Sequence, residues 1–313
     1  MTGNGKAGET VLLILGLGYC GRAVARAAAA AGYRVLGTTR AGAAGTLPFA
    51  EAAPALAAAT HLLITAAPEA SGGAAGGDPV LARYGAEIAA APRLRWIGYL
   101  SSTGVYGDHA GAWVDEATPP RPAAPRTQRR LAAERAWQDC AGRRAVDLLR
   151  LAGIYGPGRS VFDDLRAGRA RRIVKPGQVF SRLHRDDITR AVLAAMANAP
   201  ARGTRVFNLA DDAPAASAEV IAEAARLLGL PLPPEIPFAE AAPGMSAMAR
   251  SFWAENRRVG NARTKQALGL AWRYPSYREG LAAILAEETG AEEIGAEETG
   301  EGRAEQGEVG RPR

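Results

Sequence analysis

The sequence predicts a doubly wound parallel α/β sheet with a small C-terminal lobe. Three observations carry this: a short, wholly apolar run at residues 11–15, a glycine-rich turn directly after it, and an alternation of further apolar runs with helix-forming stretches as far as residue 151. At 313 residues the chain has room for one large domain or two smaller ones.

Val11–Leu15 is apolar at every position, as a parallel strand covered on both faces must be, and is expected at the centre of the sheet. Residues 22–31 are almost all alanine, a strong helix former, and Gly32 follows as a stop. Residues 33–38 read as a second strand, closing a right-handed βαβ unit. Further strands are expected at 61–65, 94–100 and 145–151, with helices at 79–91 and 127–140. Only residues 47–59 separate the second strand from residue 61, so one sheet element there is expected to be short or missing. The glycine-rich residues 71–77 read as a flexible loop.

Beyond Gly153 the pattern changes. A helix at 161–166, a short strand pair around 173–183, a helix at 186–196, a strand at 205–209, a helix at 217–228 and a proline-rich 231–237 are expected. These pieces are too small for a second sheet and read as a lobe grafted onto the first domain. The expected organisation is a flexible N-terminus (1–9), a dinucleotide-binding domain (10–155), a small substrate lobe with segments returning to that domain (156–286), and a tail (287–313). From Ala286 the tail repeats Ala-Glu-Glu-x-Gly three times, with few apolar residues to bury, and is expected to be disordered.

The net charge of +6 invites a nucleic-acid reading, but only three of the 38 basic residues are lysines, and the excess is spread along the chain without basic runs interleaved with aromatics. No nucleic-acid partner is expected. Cys20 and Cys140 are too few for a disulfide framework and lack metal-ligand spacing. The apolar run at 11–15 is too short for a secretory or spanning segment, so a cytoplasmic protein without a membrane partner is expected. Oligomeric state stays open.

The chemistry concentrates first at Gly16-Leu17-Gly18-Tyr19-Cys20-Gly21, between a buried strand and an alanine-rich helix. Gly16 allows the tight turn, Gly18 the approach of a pyrophosphate, and Gly21 the packing of helix on strand, while the helix N-terminus offers N–H groups. This is the signature of a Rossmann-type dinucleotide site, with Tyr19 and Cys20 in the same turn. The second strand ends Gly37-Thr38-Thr39-Arg40, and no carboxylate follows until Glu51. An arginine there suits the 2′-phosphate of NADP(H); NAD(H) is the alternative. Ser101-Ser102-Thr103-Gly104-Val105-Tyr106-Gly107-Asp108 lies at the end of a later strand, where such sheets bind ligands.

With these motifs, Leu149-Arg150-Leu151-Ala152-Gly153-Ile154-Tyr155-Gly156-Pro157-Gly158-Arg159, Arg182-Leu183-His184-Arg185-Asp186-Asp187-Ile188 and Phe207-Asn208-Leu209-Ala210-Asp211-Asp212 occur in order. So arranged, the chain resembles the extended and atypical short-chain dehydrogenases/reductases, the NAD-dependent epimerase/dehydratase group, over roughly residues 10–285. The resemblance implies an oxidoreductase or epimerase acting on a carbonyl, alcohol or sugar-derived substrate. It puts Ser102 at the catalytic hydroxyl. It also places Ala66, Ala67, Ser101, Gly153, Ile154 and Tyr155 beside Gly16, Gly18, Tyr19, Cys20, Gly21, Thr39 and Arg40 as cofactor residues.

The family's Tyr-x-x-x-Lys pair is missing. Arg126 stands where the tyrosine belongs and Arg130 where the lysine belongs; no lysine lies between Lys6 and Lys175, and none of the eight tyrosines has a lysine four residues on. Arg130 is expected to keep the cation's role. Guanidinium keeps its proton, so the acid must be another group, with Tyr106, Tyr155 or His109 the candidates; Ser102, Tyr106 and Arg130 form the expected catalytic set. A non-catalytic NADP(H)-binding sensor is the competing reading. A β-hydroxyacid dehydrogenase fits poorly, because Lys175 and Lys265 lack the expected setting. Asp187 is expected to cap a helix and His184 to be structural; no metal site emerges.

Overall fold

A computed structural model describes residues 9–43, 45–69, 77–140 and 144–304. The N-terminal residues 1–8 and residues 71–76 of the expected glycine-rich loop lie outside these. The chain runs β1 (Val11–Leu15), α1 (Tyr19–Ala30), β2 (Arg34–Thr39), β3 (Leu47–Pro48), α2 (Ala53–Ala58), β4 (His61–Ile64), α3 (Pro79–Ala90), β5 (Trp96–Ser102), β6 (Trp113–Val114), α4 (Pro125–Cys140) and β7 (Ala145–Leu151). It continues through β8 (Gly153–Tyr155), α5 (Val161–Arg166), β9 (Arg172–Val174), β10 (Arg182–His184), α6 (Arg185–Ala197), β11 (Gly203–Leu209) and α7 (Ser217–Leu228). The last elements are β12 (Glu235–Pro237), α8 (Phe238–Ala241), α9 (Ala247–Trp253), β13 (Arg258–Val259), α10 (Ala262–Leu268) and α11 (Tyr277–Ala304).

Seven strands form one parallel sheet in the order β11-β7-β5-β4-β1-β2-β3. The middle place belongs to β4, not β1. From β1 the chain steps one way only as far as the two-residue β3, then crosses back and adds four strands on the other side. The short element expected near residues 47–59 is this stub with α2. Alternation along β1 sends Leu12 and Ile14 into one core layer, with Val24 of α1 and Val192 of α6, and Leu13 and Leu15 into the other, with Leu56, Tyr84 and Trp137 of α2, α3 and α4.

The lobe has its own apolar centre of Phe162, Ile221, Tyr277, Leu281 and Ile284. Three two-stranded parallel pairs, β8–β10, β9–β12 and β6–β13, secure it. The strands expected to pair with each other around residues 173–183 do not: β10 aligns with β8 just past the end of β7, and β9 takes β12 from the proline-rich segment. Helix α11 reaches Ala304, past residue 287, where an unstructured tail is expected. The repeat lacks an apolar face, but alanine and glutamate favour helix on their own. Residues 305–313 lie outside the described residues.

Candidate functional site

At the end of β1 the chain turns on Gly16, whose φ of +107° suits glycine and at which a Cβ would stand 2.7 Å from Thr65 Oγ1. The turn is tied to β2: the Gly16 N–H donates to Thr38 Oγ1 at 3.2 Å and the Leu17 N–H to the Thr38 carbonyl at 2.7 Å. A Cβ on Gly21 would stand 2.6 Å from the Gly16 carbonyl oxygen, so glycine there lets α1 seat against the turn. Gly18 differs, because nothing lies within 4 Å of where its Cβ would be. Helix α1 has no side-chain cap and no acidic residue in its first turn. The N–H groups of Tyr19, Cys20 and Gly21 therefore remain for an anionic ligand.

A cleft of about 530 Å³ opens on this turn, lined among others by Gly18, Arg22, Thr39, Arg40, Ala66 and Glu69. Arg40 is exposed and makes no hydrogen bond or ion pair with a described residue. The Thr39 hydroxyl oxygen accepts the N–H groups of Gly42 and Ala43 at 3.1 Å each, so Thr39 shapes the loop beside Arg40. Ala67 is not among the lining residues. The Cys20 side chain is buried in the core, which pushes its thiol pKa up, so only its backbone faces the turn's role. Tyr19 donates to the Pro157 carbonyl at 3.0 Å, with Arg185 and Arg159 over its ring at 5.3 and 5.7 Å.

A second cavity, of about 150 Å³, lies where the ends of β5 and β7 meet the lobe. Ser102, Arg126, Gly153, Phe252, Glu255 and Arg257 are among its walls. Ser102 Oγ accepts the Gly104 N–H at 3.1 Å, and its own proton has no acceptor among the described residues. Neighbouring positions of a strand face opposite ways, and Ser101 accordingly turns inward: its hydroxyl donates to Glu134 Oε1 at 2.5 Å, beside the bidentate Arg150–Glu134 pair at 3.1 and 2.8 Å. The cofactor role expected of Ser101 is thus not available to its side chain.

Tyr106 is also placed away from the cavity. It is fully buried, donates to Asn208 Oδ1 at 2.7 Å, and burial raises its pKa. Tyr155 donates to the Ser276 carbonyl at 3.3 Å, Ile154 packs on the core, and His109 Nε2 lies 3.2 Å from the Tyr106 carbonyl oxygen. None of these lines the cavity. Arg130 donates to Tyr99 Oη and to the Leu100 carbonyl, both at 3.0 Å, holding α4 to β5 without reaching either cavity. It is Arg126 that enters the cavity. Its Nε donates to Ser251 Oγ at 3.3 Å and its guanidinium lies 4.2 Å from the Phe252 ring centroid.

His184, not Asp187, caps α6: its Nδ1 accepts the Asp186 N–H at 3.2 Å. Asp187 reaches across instead to accept the N–H groups of Arg273 and Tyr274 at 2.8 and 2.9 Å. No cluster among the described residues could hold a metal ion, and no helix among them is long and apolar enough to cross a membrane. The sequence reading missed Arg22, Phe252, Glu255 and Arg257. Arg22 directly follows the third glycine, a signal that was present; the other three reach the cavity only through the packing of the lobe.

The structure is similar to that of a conserved protein of unknown function from Silicibacter pomeroyi, at a TM-score of 0.80 and 46% identity over 89% of this chain and 99% of that one. A human epimerase family protein, SDR39U1, solved with NADPH, superposes at 0.71 with 18% identity over 88% and 99% of the two chains. A Streptomyces 3-diazoavenalumate denitrifying reductase is 32% identical over 185 residues, 56% of this chain and 58% of its own. The chain shares its fold with these structures, the human epimerase family protein among them. It spans about half the length of the curated relatives it matches. No family model matches it.

Proposed function

We propose that this chain is a member of the extended short-chain dehydrogenase/reductase superfamily, an NAD(P)-dependent oxidoreductase or epimerase that prefers NADP(H) and acts on a carbonyl or alcohol carbon held beside Ser102. The observation that carries the reading is one sheet edge bearing two cavities: the glycine turn with open space at Gly18, and the pocket at Ser102 on β5, two strands along. Such edges are where open α/β sheets bind ligands.

The residues fit the cofactor. The free N–H groups of the first turn of α1 would hold the pyrophosphate, and Arg22 and Arg40 would take the 2′-phosphate. When bound, the reduced nicotinamide supplies a hydride. Ser102, whose hydroxyl proton is unclaimed, would donate a hydrogen bond to the substrate oxygen, and the proton that accompanies the hydride would come from solvent, since no tyrosine or histidine lines the cavity. The name of the Streptomyces relative as a reductase and the NADPH in the human structure support this reading; NAD in structures such as a Bacillus cereus UDP-glucuronic acid 4-epimerase keeps NAD(H) as the second cofactor.

A non-catalytic NADP(H) sensor is the second reading, favoured by the absence from the cavity lining of every tyrosine and histidine. Isothermal titration with NADPH and NADH comes first, followed by turnover on a panel of carbonyl compounds with wild type and Ser102→Ala. NADPH binding with turnover lost in Ser102→Ala supports the enzyme. Binding without any turnover favours the sensor, and binding of neither nucleotide overturns both.

A further inference from the structure

The Ser102 cavity is electrostatically lopsided. Arg257 is paired with Glu255 at 2.8 Å and also donates to the Gly107 carbonyl at 2.7 Å. Arg126 has no such partner: beyond Nε, its guanidinium donates to no described residue and joins no ion pair. It is half-buried, and burial lowers its pKa, yet guanidinium stays charged. A Cβ on Gly104 would stand 3.2 Å from Ser102 Oγ and 3.8 Å from Arg126 Nη1, so the hydroxyl and the free end of the cation converge across that glycine. Val179, Phe180 and Val259 give the lining an apolar share, and Phe252 lies half-exposed under the Arg126 guanidinium.

We infer that Arg126 is a carboxylate-binding residue and that the substrate is a small organic acid with an apolar, ring-sized body. The inference rests on the proposed reading of the Ser102 pocket. The two oxygens of a carboxylate match the paired N–H groups of the Nη1–Nη2 edge that Arg126 leaves free, and add to the partial compensation that Glu255 gives this cation. The apolar body covers Phe252 and Val179. Where the family resemblance puts a proton donor, this chain presents an anion receptor.

The test uses the full chain, alone and with saturating NADPH, titrated by calorimetry with benzoate, with its neutral near-isostere benzamide, and with inorganic phosphate. Benzoate is expected to bind at least about tenfold tighter than benzamide, as a charge-assisted pair implies, and tighter than phosphate, which has no apolar body. Arg126→Gln should erase the preference over benzamide and Arg126→Lys should restore part of it, with thermal melts confirming that both variants fold. Phe252→Ala should weaken benzoate and benzamide by the same factor. Equal binding of benzoate and benzamide to wild type, a preference that survives Arg126→Gln, or phosphate binding as tight as benzoate overturns the inference. Discrimination by Arg126 without NADPH binding upholds the anion site and removes the cofactor reading; NADPH binding without discrimination does the reverse.

Discussion

Replacing Arg40 by alanine tests the proposed 2′-phosphate contact. Arg40 is exposed at the end of β2 and holds no other part of the protein, so the variant should melt where wild type does. A hydrogen bond to a charged group contributes about 1.5–3 kcal/mol; solvent around Arg40 puts this one at the low end, roughly 1.5 kcal/mol, or about tenfold in Kd. Arg22 lines the same cleft and should retain part of the attraction, so Arg22→Ala with Arg40→Ala is expected to lose more than either alone. NADH has no 2′-phosphate and should bind both variants as it binds wild type. The assay is titration of each nucleotide at low and moderate salt, with the NADPH advantage shrinking as salt rises. An equal loss for NADH, or undiminished NADPH affinity in the double variant, refutes the placement of the phosphate.

The glycine turn offers a paired test: Gly18→Ala enters open space and should leave the melting temperature unchanged while weakening NADPH, whereas Gly21→Ala meets the Gly16 carbonyl at 2.6 Å and should lower both. Glu134→Ala strands Arg150, whose side chain is 6% exposed, and should cost about 3–5 kcal/mol in urea denaturation. Burial, opposed by Arg182, pushes the Asp211 carboxyl up to about 7. Between about pH 4, where it titrates in the unfolded chain, and 7 the native state holds a proton the unfolded chain has lost, so this group's contribution to stability falls as pH rises. Melts across that window should show Asp211→Asn losing this decline; an unchanged difference between the two proteins at every pH would refute it.

The sheet was legible because β1 and, His61 aside, β4 are apolar runs and α1 is alanine-rich, signals that are local, and β7, α5 and α7 fall where residues 145–151, 161–166 and 217–228 place them. The position of β1 was not, since it depends on how many strands the chain adds after crossing over. At the site, the glycine turn could be read because three residues in six encode it. Ser101 and Ser102 look alike in sequence, and only the facing of β5 shows that one bonds Glu134 and the other lines a cavity. Tyr106 has the right chemistry for an acid, but Asn208, brought alongside by β11, claims its hydroxyl.

The walls of the Ser102 pocket are far apart in the order of synthesis. Ser102 and Arg126 leave the ribosome early, whereas Phe252, Glu255, Arg257 and Val259 follow more than a hundred residues later, a delay on the order of ten seconds at typical elongation rates. For that interval a nascent chain carries the glycine turn and the serine but only part of the wall around them. A message cut short before residue 252 would encode the glycine turn and Ser102 without the four residues that complete the pocket.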